Sequence, residues 1–160
     1  MAGLSMIAIL CAQEHPAPPP GGAPHEATAA QPPAPPPVDT SSVTKHSIQI
    51  NGKSLAYTAT AGTLVIQKEA KPWASIFYVA YALDGVQDVS KRPITFAFNG
   101  GPGSSSVWLH LGALGPKRIA MGPDGEQPKP PYRLVDNEDT ALQFTDLVFI
   151  DPVSTGFSRA

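Results

Sequence analysis

Hydrophobic and polar positions alternate through HSIQINGKSLAYTAT at residues 46–60, where Ile48 and Ile50 before Asn51-Gly52 are answered by Leu55 and Tyr57 after it. A period of two is the pattern of a strand with one buried face, and Asn-Gly supports the positive φ angles of a two-residue turn, so the segment predicts a β-hairpin. TLVIQK at 63–68 and ASIFYVAYAL at 74–83 are two further β-rich segments that extend it into an antiparallel meander. Beyond Lys91-Arg92-Pro93 the pattern changes. ITFAF at 94–98 and LVFI at 147–150 are short runs without regular polar alternation, as expected of strands buried on both faces in the parallel part of a sheet. Between them SSSVWLHLGAL at 104–114 predicts a short helix, opened by serines at capping positions and closed by Gly115-Pro116. The predicted fold class is α/β, an antiparallel β-meander leading into parallel core strands.

The first 41 residues have neither period. LSMIAILCA at 4–12 is the one apolar run there, too short to span a bilayer and shaped like the apolar region of an export signal, although no Lys or Arg precedes it. Residues 13–41 hold ten of the chain's 19 prolines and almost no large apolar side chain, a composition that cannot bury enough surface to offset its own ordering. The expected organisation is therefore an export signal at 1–12, a Pro-rich linker at 13–41 and one globular unit at 42–160, secreted or periplasmic. Cys11 is the only cysteine, so no disulfide framework or cysteine-based metal site is available. The 11 basic residues are balanced by 13 acidic ones in 160 and form no run, which argues against a nucleic-acid partner.

The chemistry concentrates in NGGPGSSS at 99–106. A strand that runs into Asn-Gly-Gly-Pro-Gly and then a serine-led helix turns outside the carboxyl end of the sheet, where open α/β folds place their sites. Glycines there let backbone N–H groups approach an anion, and the segment matches neither the phosphate loop, which needs Gly-Lys-Ser/Thr, nor the dinucleotide fingerprint, because Ser106 stands where that pattern needs glycine. An oxyanion hole for acyl transfer is the remaining chemical use. It calls for no cofactor or metal.

NGGPGSSSVW at 99–108, LGPKR at 114–118 and DLVFIDPVSTGFS at 146–158 together resemble the serine carboxypeptidases of the carboxypeptidase Y type. The resemblance implies an α/β-hydrolase fold, an exported enzyme, and removal of C-terminal residues by a Ser-Asp-His triad that works well at acid pH. It implies that the Gly101 N–H donates to the oxyanion, and that Asn99 with the N–H of Gly100 holds the terminal carboxylate of a peptide substrate. The chain departs from the pattern it resembles at Ala97, often aromatic there; at Ser104, usually cysteine; at Ala113, often acidic; and at Ser154, more commonly glycine. It contains no Gly-x-Ser-x-Gly elbow, so it reads as an N-terminal portion without the triad and inactive alone. His46 reads as solvated, His110 as packed, Ser104, Ser105 and Ser106 as caps rather than nucleophiles, and Asp136 and Asp151 as turn carboxylates. The alternative is a secreted β-rich binding module in which NGGPG is only a loop.

Overall fold

The structure, a computed structural model, describes residues 36–100, 103–122 and 124–160. The expected export signal and most of the expected linker lie outside these residues. Among the described residues seven strands form in chain order: β1 (Thr40–Ile50), β2 (Lys53–Lys68), β3 (Lys71–Leu83), β4 (Ile94–Ala97), β5 (Lys117–Ile119), β6 (Leu134–Asp136) and β7 (Asp146–Ile150). Five of them build one mixed sheet in the order β1-β2-β3-β7-β4, and β5 pairs with β6 in a separate ribbon.

The meander is present, with two strands longer than the sequence pattern indicates. Asn51 and Gly52 turn with φ of 48° and 75°, the doubly left-handed geometry that matches the twist of a hairpin. Residues 53–60 and 63–68 are one continuous strand rather than two. That strand returns through Glu69 and Ala70, also left-handed at 52° and 60°. Neither residue type favours that region, which is why the turn left no mark in the sequence. β3 then pairs antiparallel with β7, Tyr78 opposite Ile150, and β7 pairs parallel with β4, Ile94 beside Asp146.

The core lies on one face of this sheet. Ile48, Ile50, Tyr57, Ala97, Leu142, Leu147 and Phe149 form its buried cluster, with Leu55, Ala59, Tyr81, Leu109, Leu114 and Ala141 packed against them. β7 contributes alternate residues, as a half-buried strand should. The expectation that both late strands are buried on both faces is corrected here. β4 is an edge strand whose Ile94 and Phe96 are each 57% exposed, because the cluster takes only Ala97 from it. On β7, Leu147 and Phe149 are buried while Val148 and Ile150 are half-buried.

The predicted helix is shorter and less regular than expected. Val107–Leu109 is a single α-turn (α1) that widens into a π-turn over His110–Leu114, closed by Gly115 N–H donating to the His110 carbonyl at 3.0 Å. A Cβ on Gly115 would strike that carbonyl, so the glycine is required by close approach and not only as a terminator. The loose carbonyls at this end are taken by the loop before β7. Asn137 Nδ2 donates to the Ala113 and Gly115 carbonyls at 2.7 and 2.8 Å, and Thr140 Oγ1 to Leu114 at 2.8 Å. Buried helix ends need such partners.

Candidate active site

The geometry begins at the last paired residues of the parallel strands, where Ala97 lies beside Phe149. Beyond them, past the carboxyl end of the parallel pair, lie residues 98–100 and 103–106 on one side and 151–158 on the other. In the first segment Asn99 is half-buried, and its Nδ2 donates to Ser104 Oγ at 3.2 Å, spanning the turn. Ser104 thereby orients the Asn99 amide. Gly100 is exposed, and a Cβ there would meet no atom within 4 Å, so its surroundings are open to a ligand. Gly101 lies outside the described residues. Gly103 has φ of 92°, a backbone that side chains rarely adopt. Of the predicted site residues, Asn99 and Gly100 thus stand together at the strand end.

The turn finishes on a buried carboxylate. Asp151 Oδ1 accepts from Ser106 N–H at 2.9 Å and from Ser106 Oγ at 3.0 Å, while Oδ2 accepts from Phe157 N–H at 3.2 Å. The Asp151 carbonyl accepts from Ser158 Oγ at 2.7 Å, and that hydroxyl accepts from Phe77 N–H at 2.8 Å. Ser106 was expected to cap the helix with its hydroxyl. It sits at the N-cap without a side-chain cap bond: its backbone is in the helical region, φ -73° and ψ 0°, rather than the extended one a capping hydroxyl needs, and the hydroxyl is turned to donate to the carboxylate. Gly156 completes the arrangement at φ of 47°, where a Cβ would strike the Asp151 carboxylate.

His110 is packed, as its place in the predicted helix suggested. It stacks on Phe149 with ring centroids 4.6 Å apart, and its Nε2 shares a 2.5 Å hydrogen bond with Tyr81 Oη. Burial pushes the His110 pKa down to about 4, against the opposing pull of the Asp151 charge, and pushes the Tyr81 hydroxyl up to about 12, with Tyr57 adding to the rise. His110 is thus neutral at pH 7. The hydrogen bonds of Ser104 and Ser106 go to Asn99 and Asp151, so neither has the histidine partner of an activated nucleophile. His46 is exposed, as expected, with its ring stacked on Tyr57 at 5.6 Å and hydrogen-bonded to Thr44. Asp136 pairs with Lys117 and accepts from Gln49 N–H, and those contacts hold its carboxyl below the usual range.

A cleft of about 350 Å³ opens beside this network between Phe77, Val107, His110, Asp151 and Phe157. A second of about 380 Å³ lies between Trp108, Ile119, Met121 and Tyr132, with Trp108 71% exposed. No group of three metal-ligating side chains occurs among the described residues. No helix among them is long and apolar enough to cross a membrane. Sequence reasoning passed over the roles of Asp151, Asn137 and Thr140, since a lone carboxylate, amide or hydroxyl in a loop carries no periodicity. The usable signal was Gly156, five residues after Asp151 in DPVSTG.

The profile of the serine carboxypeptidase family matches residues 51–160, and the chain belongs to that family. The pheromone-processing carboxypeptidase KEX1 of Komagataella phaffii is 41% identical over 73 residues, covering 45% of this chain and 10% of that protein. The protein of the same name from Komagataella pastoris matches with the same figures, 41% over 73 residues. Among solved structures, KEX1(delta)p, a prohormone-processing carboxypeptidase from Saccharomyces cerevisiae, matches over 62% of this chain and 20% of that one. Its identity is 29% and its TM-score 0.49. The chain therefore spans about a tenth of the length of the curated relatives it matches.

Proposed function

We propose that this chain carries the substrate-carboxylate and oxyanion elements of a serine-type carboxypeptidase, built on the first part of an α/β-hydrolase fold. The observation that carries the reading is the placement of Asn99 and Gly100 at the carboxyl end of a parallel strand pair, with the Asn99 amide held by Ser104. A terminal carboxylate at this turn accepts from Asn99 Nδ2 and Gly100 N–H, and the Gly101 N–H faces the carbonyl oxygen that becomes negative in the tetrahedral intermediate. The substrate is a peptide with a free C-terminus, and its hydrolysis is acyl transfer to water. The nucleophile and its base belong to sequence beyond the motifs present here, so the 160-residue chain alone has no peptidase activity. The apolar run at 4–12 supports an exported, secreted or periplasmic, protein.

Two measurements test this. Incubated with blocked dipeptides between about pH 4 and pH 8, the purified chain should show no turnover, since no activated nucleophile is available. In a polypeptide extended to include the Gly-x-Ser-x-Gly elbow, Asn99→Ala should raise KM for free-acid peptides and leave amidated ones less affected. Gly101→Ala should instead lower kcat by ~100- to 1,000-fold, the usual loss for one oxyanion donor. Equal and small effects in folded variants would make NGGPG a structural loop and return the chain to the binding-module alternative.

A further inference from the structure

We propose that the free edge of β1 pairs with the same edge of a second copy of this chain, antiparallel and about a two-fold axis at Thr44. β1 is the outermost strand of the five-stranded sheet and is 11 residues long. Its pairing with β2 starts at Ile50 opposite Lys53, the residues that flank the two-residue turn and bond to each other. In an antiparallel ladder the residues alternate from there, one turning its N–H and C=O to the neighbouring strand and the next turning them away. The even-numbered residues from Thr40 to Ile50 thus face β2, and Ser41, Val43, Lys45, Ser47 and Gln49 face outward. Gln49 shows the parity directly, its N–H donating to Asp136 Oδ2 at 2.7 Å. That carboxylate, with β6 behind it, closes the edge at Gln49. From Ser47 back to Ser41 the outward groups have no strand beside them among the described residues, and residues 40–47 are exposed.

An open edge of this length is a template for another strand. What selects a second copy is that the edge is its own complement. With Thr44 opposite Thr44, Val43 meets Lys45 of the second copy and Ser41 meets Ser47, and each such pair exchanges both of its N–H···O=C bonds, so that every open outward group from Ser41 to Ser47 is used. Moving the axis to Lys45 sets two ammonium groups against each other, and moving it to Val43 carries Ser47 past Ser41 to Asp39, outside β1. Lys45 is the only Lys, Arg, Asp or Glu from Thr40 to Ile50, so in the Thr44 register no like charges meet. A lysine usually keeps edges apart, but here its stem lies along Val43 of the second copy and its ammonium reaches water. The remaining residues from Thr40 to Thr44 are Ser, Thr and Val, short or β-branched side chains that suit cross-strand contact. The interface is one strand wide, below the area of a stable dimer, so the association is weak and shows in concentrated solution.

The test follows the 160-residue chain by sedimentation and by amide hydrogen exchange from about 10 µM to about 1 mM, the range in which a weak dimer dissociates on dilution. The weight-average mass should rise from 16.7 kDa toward twice that value. The amides of Ser41, Val43, Lys45 and Ser47 should gain protection in the concentrated sample alone, whereas those of Thr44 and His46, bonded within the hairpin, are protected in both. In a Cys11→Ser background Thr44→Cys should oxidise to a disulfide-linked dimer, because directly opposed residues of a non-hydrogen-bonded pair lie within disulfide reach, and Ser42→Cys should not. Val43→Pro removes an outward N–H and no bond to β2, a change that an edge strand tolerates. It should raise the dissociation constant by roughly tenfold or more and leave the amides of Ile48 and Tyr57 in place. Should that variant fail to fold, Val43→Lys sets a second ammonium opposite Lys45 and should weaken the dimer, most strongly at low salt. A mass of 16.7 kDa across the whole range would overturn the proposal. So would edge-amide protection that persists on dilution, since the chain would then cover β1 itself. A dimer that ignores both Val43 substitutions and leaves Thr44→Cys unlinked would be using another surface, and would overturn it as well.

Discussion

Ser154 adopts φ of 66°, an angle that glycine takes freely and other residues do not, so the chain accepts strain at this position. Ser154→Gly should therefore stabilise the protein by roughly 1 kcal/mol, offset in part by the greater freedom glycine gives the unfolded chain. Ala70→Gly, at φ of 60° in the β2–β3 turn, should behave alike. Both are read as a raised midpoint in thermal or urea unfolding, and a lowered midpoint would mean that these side chains make compensating contacts. Gly156→Ala is the opposite case, because its Cβ meets the Asp151 carboxylate as well as a left-handed backbone. Asn51-Gly52 announced its geometry in the sequence because those residue types favour left-handed angles. Glu69-Ala70 could not, since the surrounding strands impose an angle that the residues do not prefer. The place of Asn99 and Gly100 just past a strand was legible from their motif, whereas the hydrogen bond from Asn99 to Ser104 was not, since it joins two residues by their side chains.

Among the described residues, elements are joined by a few part-buried polar ties rather than by long helices. Arg92, just before β4, donates from Nε to Asp146 at the start of β7 at 2.6 Å and from its guanidinium to the Leu142 carbonyl at 2.5 Å. Asp146 also accepts from Leu83 N–H at 3.0 Å, so one carboxylate gathers the ends of three strands. Arg92→Ala leaves Asp146 without its cation and should cost about 3 kcal/mol, the usual loss when one partner of a poorly solvated pair is removed. Arg92→Lys should recover only part of it, because the ammonium cannot reproduce the fork. Equilibrium denaturation of the three proteins is the check, and a loss below about 0.5 kcal/mol would class the pair with exposed surface bridges. The meander and the parallel strands were readable from periodicity. The β5–β6 ribbon was not, its three-residue strands being too short to show a period. The π-turn was also hidden, since its register depends on Asn137 and Thr140 reaching it from a distant loop.

For the molecule as a whole, His110 links stability to pH. Its pKa is about 4 in the folded state against 6.5 for the free side chain, so between those values the unfolded chain binds a proton that the folded chain refuses. Stability from this group is complete above pH 6.5, falls as the pH drops toward 4 and is level below it, a loss of up to about 3 kcal/mol. Tyr81 and Asp151 face the ring, and Asp151 moderates the effect. Urea unfolding at about pH 7 and pH 4.5 should show a smaller acid loss in His110→Phe than in the wild type, and equal losses would assign the acid sensitivity to carboxylates instead. The strand order has a different kind of consequence. β7 lies between β3 and β4, so the last of the described strands must insert between two earlier ones before β4 gains a partner among them. Contacts between β7 and β3 close a loop of more than 60 residues, whereas the hairpins β1–β2 and β2–β3 close across two. Local closures are the fast ones. In time, then, the meander comes first and the candidate site last. Pulsed hydrogen exchange during refolding should find β1–β3 amides protected in an early phase, with β4 and β7 amides protected together in a later one. The apolar edge of β4 stays open to wrong partners through that interval, which predicts that refolding yield falls as protein concentration rises.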